Sequence, residues 1–280
     1  MDKVKIAIVK FGCIGCSPLI EIALDERSIR KDIKIRVFST GGKMDSENCI
    51  EVAEDTVKYN PDIIVIVTPN ASLEGPTAGR RKIKELYPNT PIIIISDEPA
   101  KKVVKQLEEE GFGYIIVEAD SMIGARRDFL DPTEMILFNS DVLRVLAVTG
   151  VFRMIIAEID RVIEQIKSKS EIELPRIIAS AEFVVENYGG FSNPYAKSKA
   201  IASYEAARRV AYLSTRGCYV LKKRVQYLPV VAAAHELMRH AALLADEARE
   251  IEKANDSVYR TPHISTGEVK VKSKLLEPAK

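Results

Sequence analysis

The chain has no tryptophan, three histidines and four cysteines in 280 residues, and its formal net charge is only +1. Each scarcity removes a class of function. A balanced charge leaves no electrostatic footprint for nucleic acid or an anionic membrane. No run reaches the ~18 consecutive apolar residues of a membrane span. Met1-Asp2-Lys3 leads straight into a strand pattern, so no leader peptide is expected and the cytoplasm is the expected location. Cys13, Cys16, Cys49 and Cys218 do not make a disulfide framework at this length. Cys13-Ile14-Gly15-Cys16 has no second Cys-x-x-Cys or His pair beside it to close a zinc site. That motif reads either as redox or metal chemistry or as small residues in a tight loop. His235-Glu236-Leu237-Met238-Arg239-His240 nearly spells a zinc-protease helix. Its second histidine, however, falls at i+5, about 140° around the helix rather than about 40°. No metal is expected, and both imidazoles are expected at a surface or interface. Walker A loops, a Ser-His-Asp order, paired catalytic carboxylates and repeats are all missing. Glutamine occurs three times against 29% charged residues, a composition that leans toward a thermophile surface.

What is present is organised around the first βα turn. Lys5–Val9 reads as a buried strand, Gly12 and Gly15 permit a tight turn, and Ser17-Pro18 reads as an N-cap with Pro at the first helical position. The helix behind it runs through Leu19–Leu24. Gly-x-x-Gly is half a dinucleotide fingerprint, so the turn suits an anionic or polar ligand without specifying NAD. Four more strands follow, at 33–38, 63–67, 91–96 and 114–117, with helices near 46–59, 77–86 and 100–110 between them. This alternation predicts an α/β fold with a doubly wound parallel, Rossmann-like sheet. Ligands of such sheets sit beyond the carboxyl ends of the strands, which singles out the loops 10–17, 40–45, 68–76, 97–99 and 118–127.

Beyond Asp120 the pattern turns helical. Asp131-Pro132-Thr133-Glu134 is a helix start with N-cap, Pro and capping-box glutamate in register. The helical pattern behind it runs to about Lys167 with Gly150 as its one weak point, roughly 50 Å if unbroken. Its apolar residues cover more than one stripe, which predicts a helix bundle and a subunit interface. Helices follow near 175–187, 194–215 and 229–253, with a small hairpin near 217–228 and an edge strand in the tail at 268–271. The expected division is an α/β cofactor domain over 1–130, a helical oligomerisation region over 131–263 and a tail over 264–280.

Two constellations carry chemistry. Asp97 follows four isoleucines and a serine at a strand mouth, where it either faces a ligand or caps the next helix. Arg126 and Arg127 either hold phosphate or carboxylate or pair with acidic side chains near the long helix. A non-catalytic sensor that binds a nucleotide or pterin is the alternative to an enzyme, although Lys10-Phe11-Gly12 stands where a receiver domain carries its acidic cluster.

Several motifs in fixed order add a resemblance. They include Lys10–Gly15, Leu24-Asp25-Glu26-Arg27, Gly124–Pro132, Val148–Arg153, Asn193–Ala196, Ala234–Arg239, Ala245–Glu250 and Arg260–His263. Together they resemble the coenzyme F420-dependent methylenetetrahydromethanopterin dehydrogenases of methanogenic archaea, over residues 1 to about 265. The resemblance implies reversible hydride transfer between the methylene carbon of methylenetetrahydromethanopterin and C5 of the F420 deazaflavin. It implies F420 as a diffusible co-substrate, no metal or flavin, and a homohexamer built as a trimer of dimers. It further implies that Lys10, Gly12, Cys13, Ile14, Gly15, Ser17, Thr40, Gly41, Lys43, Pro69 and Asn70 bind F420. On the pterin side it implies Asp97, Met122, Arg126, Arg127 and His263, with Asp97 as the catalytic carboxylate.

Overall fold

A computed structural model describes residues 3–23 and 29–280, so the Leu24-Asp25-Glu26-Arg27 motif lies outside the described residues. The chain forms two compact units, each assembled from separated segments. The first comprises Met1–Val117, Ile155–Ile178 and Pro262–Lys270; the second comprises Glu118–Met154, Ala179–Thr261 and Val271–Lys280. The simple order of domain, bundle and tail is thus interleaved in the chain.

The first unit is built on β1 (Val4–Lys10), β2 (Ile33–Ser39), β3 (Ile63–Thr68), β4 (Ile92–Asp97) and β5 (Gly113–Val117). The sheet order is β2-β1-β3-β4-β5-β6, and the ladders among the first five strands are all parallel. The sixth strand, β6 (Arg176–Ala179), corrects the expected helix start at 175. Pro175 looked like a helix N1 residue, but its carbonyl instead accepts the Tyr114 N–H at 2.7 Å. β3 is buried at every position, which its uninterrupted β-branched sequence requires of a strand covered on both faces.

One sheet face is set by alternate residues. Ala7, Val9, Ile64, Ile66, Ile92, Ile94 and Ile116 pack in one cluster with Cys49, Val52 and Ala53 of α2 (Ser46–Asp55) and Ile83 of α3 (Glu74–Leu86). Each such isoleucine contributes roughly 1.5–3 kcal/mol by leaving water. Thr68 and Ser96 continue this face as a cross-strand pair at the carboxyl ends of β3 and β4. Helices α1 (Cys16–Ala23) and α4 (Val104–Glu109) complete the crossovers, α4 being preceded by a 3-10 turn over Glu98–Val103.

The helices α5 (Pro132–Thr149) and α6 (Val151–Ser168) replace the single long helix expected to Lys167. Gly150 breaks it with φ +105°, and a Cβ there would lie 2.6 Å from the Tyr188 carbonyl carbon. Only glycine accepts both that backbone angle and that approach.

In the second unit α7 (Ala181–Tyr188), α8 (Pro194–Thr215) and α9 (Arg224–Ala254) pack with α5. Ala200, Ala207, Ala241 and Ala245 are fully buried, and their small size lets α8 approach α9 closely enough for Ser203 Oγ to donate to the Ala241 carbonyl at 2.7 Å. The expected hairpin near 217–228 is absent. Arg216–Val220 is a π-helical turn and Val225–Leu228 is the first turn of α9. Extension of α8 and α9 overrode the β-branched and aromatic composition that suggested strands. The tail forms isolated bridges, Arg260 with Lys272 and His263 with Val269, rather than an edge strand.

Candidate active site

The strand order reverses between β1 and β3, so the crevice of this sheet opens beside the loops that follow those two strands. The β1 loop is built to hug the β2 loop. Phe11 N–H extends the ladder to the Val67 carbonyl at 3.0 Å, and Gly12 then turns with φ +86°. The Gly12 N–H donates to Thr40 Oγ1 at 3.0 Å, while that hydroxyl donates to the Lys43 carbonyl at 2.6 Å. Thr40 N–H returns a bond to the Lys10 carbonyl at 3.1 Å. Cys13 Sγ reaches the Gly41 carbonyl at 3.5 Å. One threonine therefore joins Lys10, Gly12 and Lys43, three residues of the expected F420 set. A Cβ on Gly12 would fall 2.7 Å from Met44 Cγ, and one on Gly75 would fall 1.9 Å from the Met44 carbonyl oxygen. The start of α3 thus lies directly against the β2 loop.

Two buried hydroxyls, Ser17 Oγ in the first turn of α1 and Thr68 Oγ1 at the end of β3, have no hydrogen-bond partner among the described residues. Ser17 sits inside α1 rather than at its N-cap, which corrects the capping role expected of it. Buried polar atoms normally find a partner, so each of these orphans marks a place where a polar ligand or water can complete the bonding.

The β3 loop carries Pro69, buried, and Asn70, half-buried. Asn70 Oδ1 accepts Ser72 N–H at 3.0 Å and Ser72 Oγ–H at 2.6 Å. At the end of β4, Asp97 is 1% exposed, and its Oδ1 accepts the Glu98 N–H at 2.6 Å as the cap of the 3-10 turn. Asp97 thus has the capping role, on the sheet face opposite Ser96. Cys49 lies on the buried face of α2, where burial and then the nearby Asp45 push its thiol up to about 11, so it stays protonated and inert.

A sequence model of the family described as methylene-5,6,7,8-tetrahydromethanopterin dehydrogenase matches residues 4–280. The chain belongs to this family. A curated F420-dependent methylenetetrahydromethanopterin dehydrogenase of Archaeoglobus fulgidus is 52% identical over 273 residues, covering 98% of each chain. That of Methanocaldococcus jannaschii is 46% identical over 275 residues, again with 98% of each covered. A solved F420-dependent methylenetetrahydromethanopterin dehydrogenase, in complex with methylenetetrahydromethanopterin and coenzyme F420, superposes with a TM-score of 0.94. It is 43% identical, with all of both chains covered.

The residues expected on the pterin side of a family member are divided between the two units. Met122, Arg126 and Arg127 belong to the second unit. Arg126 donates to the Gly217 and Leu221 carbonyls at 3.0 and 2.9 Å and lies 4.3 Å over the Tyr227 ring, so it holds the π turn. Arg127 is exposed with no partner among the described residues. His263 lies in the first unit beside the residues that lead into β2, at the amino end of the sheet. Its Nε2 is 2.6 Å from Asp160 Oδ2, and Asp160 Oδ1 accepts Arg30 at 2.6 Å. The structure thus brings together the β1, β2 and β3 loop residues and leaves His263 apart from them.

His235 is buried, which overturns the surface alternative of the surface-or-interface position expected of it. It packs between Phe129 and Phe138, with Nδ1 2.9 Å from Glu134 Oε1. Among the described residues no three His, Cys, Asp or Glu side chains gather as metal ligands would. The residues that sequence reasoning missed are Ser72, Ser96 and Arg80, which fasten the β3 loop from behind.

Proposed function

We infer that this chain is an oxidoreductase catalysing reversible hydride transfer between 5,10-methylenetetrahydromethanopterin and coenzyme F420, giving methenyltetrahydromethanopterin and reduced F420. The observation that carries the reading is the full-length likeness, at 43% identity, to a solved dehydrogenase bound to both molecules. A sensor of the same fold has no comparable support.

F420, when bound, supplies the hydride acceptor; the rest is positioning. Direct transfer between two rings needs no nucleophile and no metal, only face-to-face orientation with water excluded. In this reading F420 occupies the crevice framed by Lys10, Gly12, Cys13, Ile14, Gly15, Ser17, Thr40, Gly41, Lys43, Pro69 and Asn70. The fit is supported by the orphaned Ser17 and Thr68 hydroxyls, which have no hydrogen-bond partner among the described residues. Lys43, exposed, and Lys10, half-buried, supply positive charge for the acidic tail. Asp97 is the carboxylate that stabilises positive charge developing on the pterin carbon. Met122 and Arg127 contact the pterin, and Arg126 and His263 act by holding their segments.

A homo-oligomer, with a hexamer as its form, accompanies this reading. It is supported by Met135, Ile136 and Leu137, consecutive on α5 and 42%, 63% and 56% exposed, an apolar run that a partner would cover. No helix among the described residues is long and apolar enough to cross a membrane; the cytoplasm is the proposed location. The deciding assay mixes purified protein, oxidised F420 and methylenetetrahydromethanopterin and follows loss of the F420 absorbance, with and without a chelator. Bleaching that survives the chelator is expected; no bleaching with fresh substrates overturns the assignment.

A further inference from the structure

The β3 loop carries an amide whose orientation the fold fixes. Ser72 N–H can only donate, so the Asn70 side-chain atom facing it must be the carbonyl oxygen, and the Ser72 hydroxyl donates to the same atom. The Asn70 NH2 group is therefore turned the other way, and among the described residues it has no acceptor. The loop behind it is fastened on both sides of Ala71, which is 1% exposed. Ala71 N–H donates to Ser96 Oγ at 3.1 Å, and Ala71 C=O accepts Arg80 Nη1 at 2.6 Å.

Arg80 is itself fully buried on α3. It is held by Glu110 at 3.2 Å and Thr77 Oγ1 at 2.7 Å, and its Nη2 has no partner among the described residues. A guanidinium taken out of water and left with one unmatched nitrogen is a costly way to tie down one loop carbonyl. A leucine would fill an ordinary core position at less cost.

We propose that Asn70 is a donor-specific reader of a carbonyl edge on the F420 deazaflavin, and that Arg80, through Ala71, is the positioning residue that sets its reach. The proposal rests on F420 occupying the β1–β3 crevice. It deepens that reading by stating the polarity of one contact and the group that enforces it. A ligand whose edge presents N–H rather than C=O at this point meets two donors and is rejected. Ser72 fixes which way the amide faces, Ser96 and Arg80 fix where it stands, and neither Ser96 nor Arg80 touches the ligand.

The test is equilibrium dialysis of oxidised F420, with steady-state KM for both substrates, on Asn70→Ala, Asn70→Asp, Arg80→Met and the Asn70→Ala/Arg80→Met double variant. Asn70→Ala removes the donor and is expected to raise the F420 Kd about tenfold. Asn70→Asp keeps an oxygen toward Ser72 but turns the outer group into an anionic acceptor, so its Kd should rise about 100-fold. The KM for the pterin should stay within about threefold in both, since neither contact involves it. Arg80→Met should weaken F420 several-fold in the natural background and much less in the Asn70→Ala background, because it acts through that amide.

Asn70→Asp binding F420 at least as well as Asn70→Ala, with both weaker than the parent, overturns the donor assignment while leaving F420 in the crevice. Both variants binding F420 like the parent, or changing only the pterin KM, overturns the crevice reading itself. An Arg80 effect that adds fully in the double variant overturns the positioning role. If Arg80→Met does not fold, Ser72→Ala takes its place in the cycle, with the same non-additivity expected and the same additive result overturning it.

Discussion

Gly12 and Thr40, 28 residues apart, are joined by a 3.0 Å hydrogen bond from the glycine N–H to the threonine hydroxyl. This contact makes the β1 and β2 loops one surface. Thr40→Val removes the acceptor for Gly12 and the donor for Lys43 together. It is expected to cost about 1–2 kcal/mol of stability and to raise the F420 KM more than the pterin KM. Gly12→Ala adds left-handed strain of about 1–2 kcal/mol and drives a methyl toward Met44. Thermal melts and paired KM measurements check both; an unchanged F420 KM in either variant separates this surface from cofactor binding.

Asp97 caps the 3-10 turn, and asparagine would cap it about as well. Asp97→Asn is therefore expected to leave the melting temperature nearly unchanged while removing the negative charge. If that charge stabilises the developing pterin cation, turnover falls about 10- to 1,000-fold, or roughly 1.4–4 kcal/mol, with F420 affinity changed far less. Stopped-flow or steady-state turnover and a melt on one preparation decide it. Full turnover in the asparagine variant would leave Asp97 as a cap alone.

Asp32 anchors an alternating chain of charge. Burial pushes its carboxyl up, but the hydrogen bonds from Arg30 and Lys167 outweigh burial and hold it at about 2, from an ordinary 3.8. A carboxyl depressed by folding contributes stability above its unfolded pKa and loses it as pH falls through the folded value. The contribution here is about 2 kcal/mol, present at pH 5 and above and lost progressively from about pH 5 toward pH 2. Urea titrations from pH 6 to 2.5 should show that loss in the natural protein. Asp32→Asn should be less stable at pH 6 and flatter with pH; a parallel pH dependence in both proteins would remove Asp32 from the acid transition.

The apolar run on α5 makes a prediction about mass. Light scattering should report an assembly larger than a dimer, and Ile136→Glu should shift it toward smaller species by placing a charge on the covered face. A monodisperse monomer of the natural chain at micromolar concentration would contradict the assembly and leave the exposed run unexplained.

Five strands were legible because β-branched runs such as Ile63–Val67 and Ile92–Ile95 admit few other readings. The rule that ligands sit beyond the carboxyl ends of the strands then singled out five loops, among them those after β1 and β3, without any motif. β6 was not legible, since four residues with half-exposed faces carry no periodicity and Pro175 mimics a helix start. The hairpin failed for the opposite reason: Tyr219-Val220 and Val225 have strand-like composition, yet they lie in segments that extend α8 and begin α9. Arg80 was invisible as well. In Gly79-Arg80-Arg81-Lys82 nothing distinguishes the arginine that is 1% exposed from its neighbour that is 61% exposed. Only the direction of the helix face decides between them. His263 could be placed in a polar turn but not at the amino end of the sheet, because its partner Asp160 lies 103 residues away in the chain and Asp160's own partner Arg30 a further 130.

That separation has a consequence for how the protein comes into being. Residues 262–270 belong to the first unit and 271–280 to the second, so neither unit is complete until those residues have been made. Arg30 emerges from the ribosome early and waits 130 residues for Asp160. At 5–20 residues per second that gap is about 7–26 s. A nascent chain of this kind presents its unfinished sheet to the cell throughout synthesis, with the Arg30–Asp32 pair that later receives Lys167 and the returning tail still open to water. Contacts of such long range also slow refolding of the finished chain.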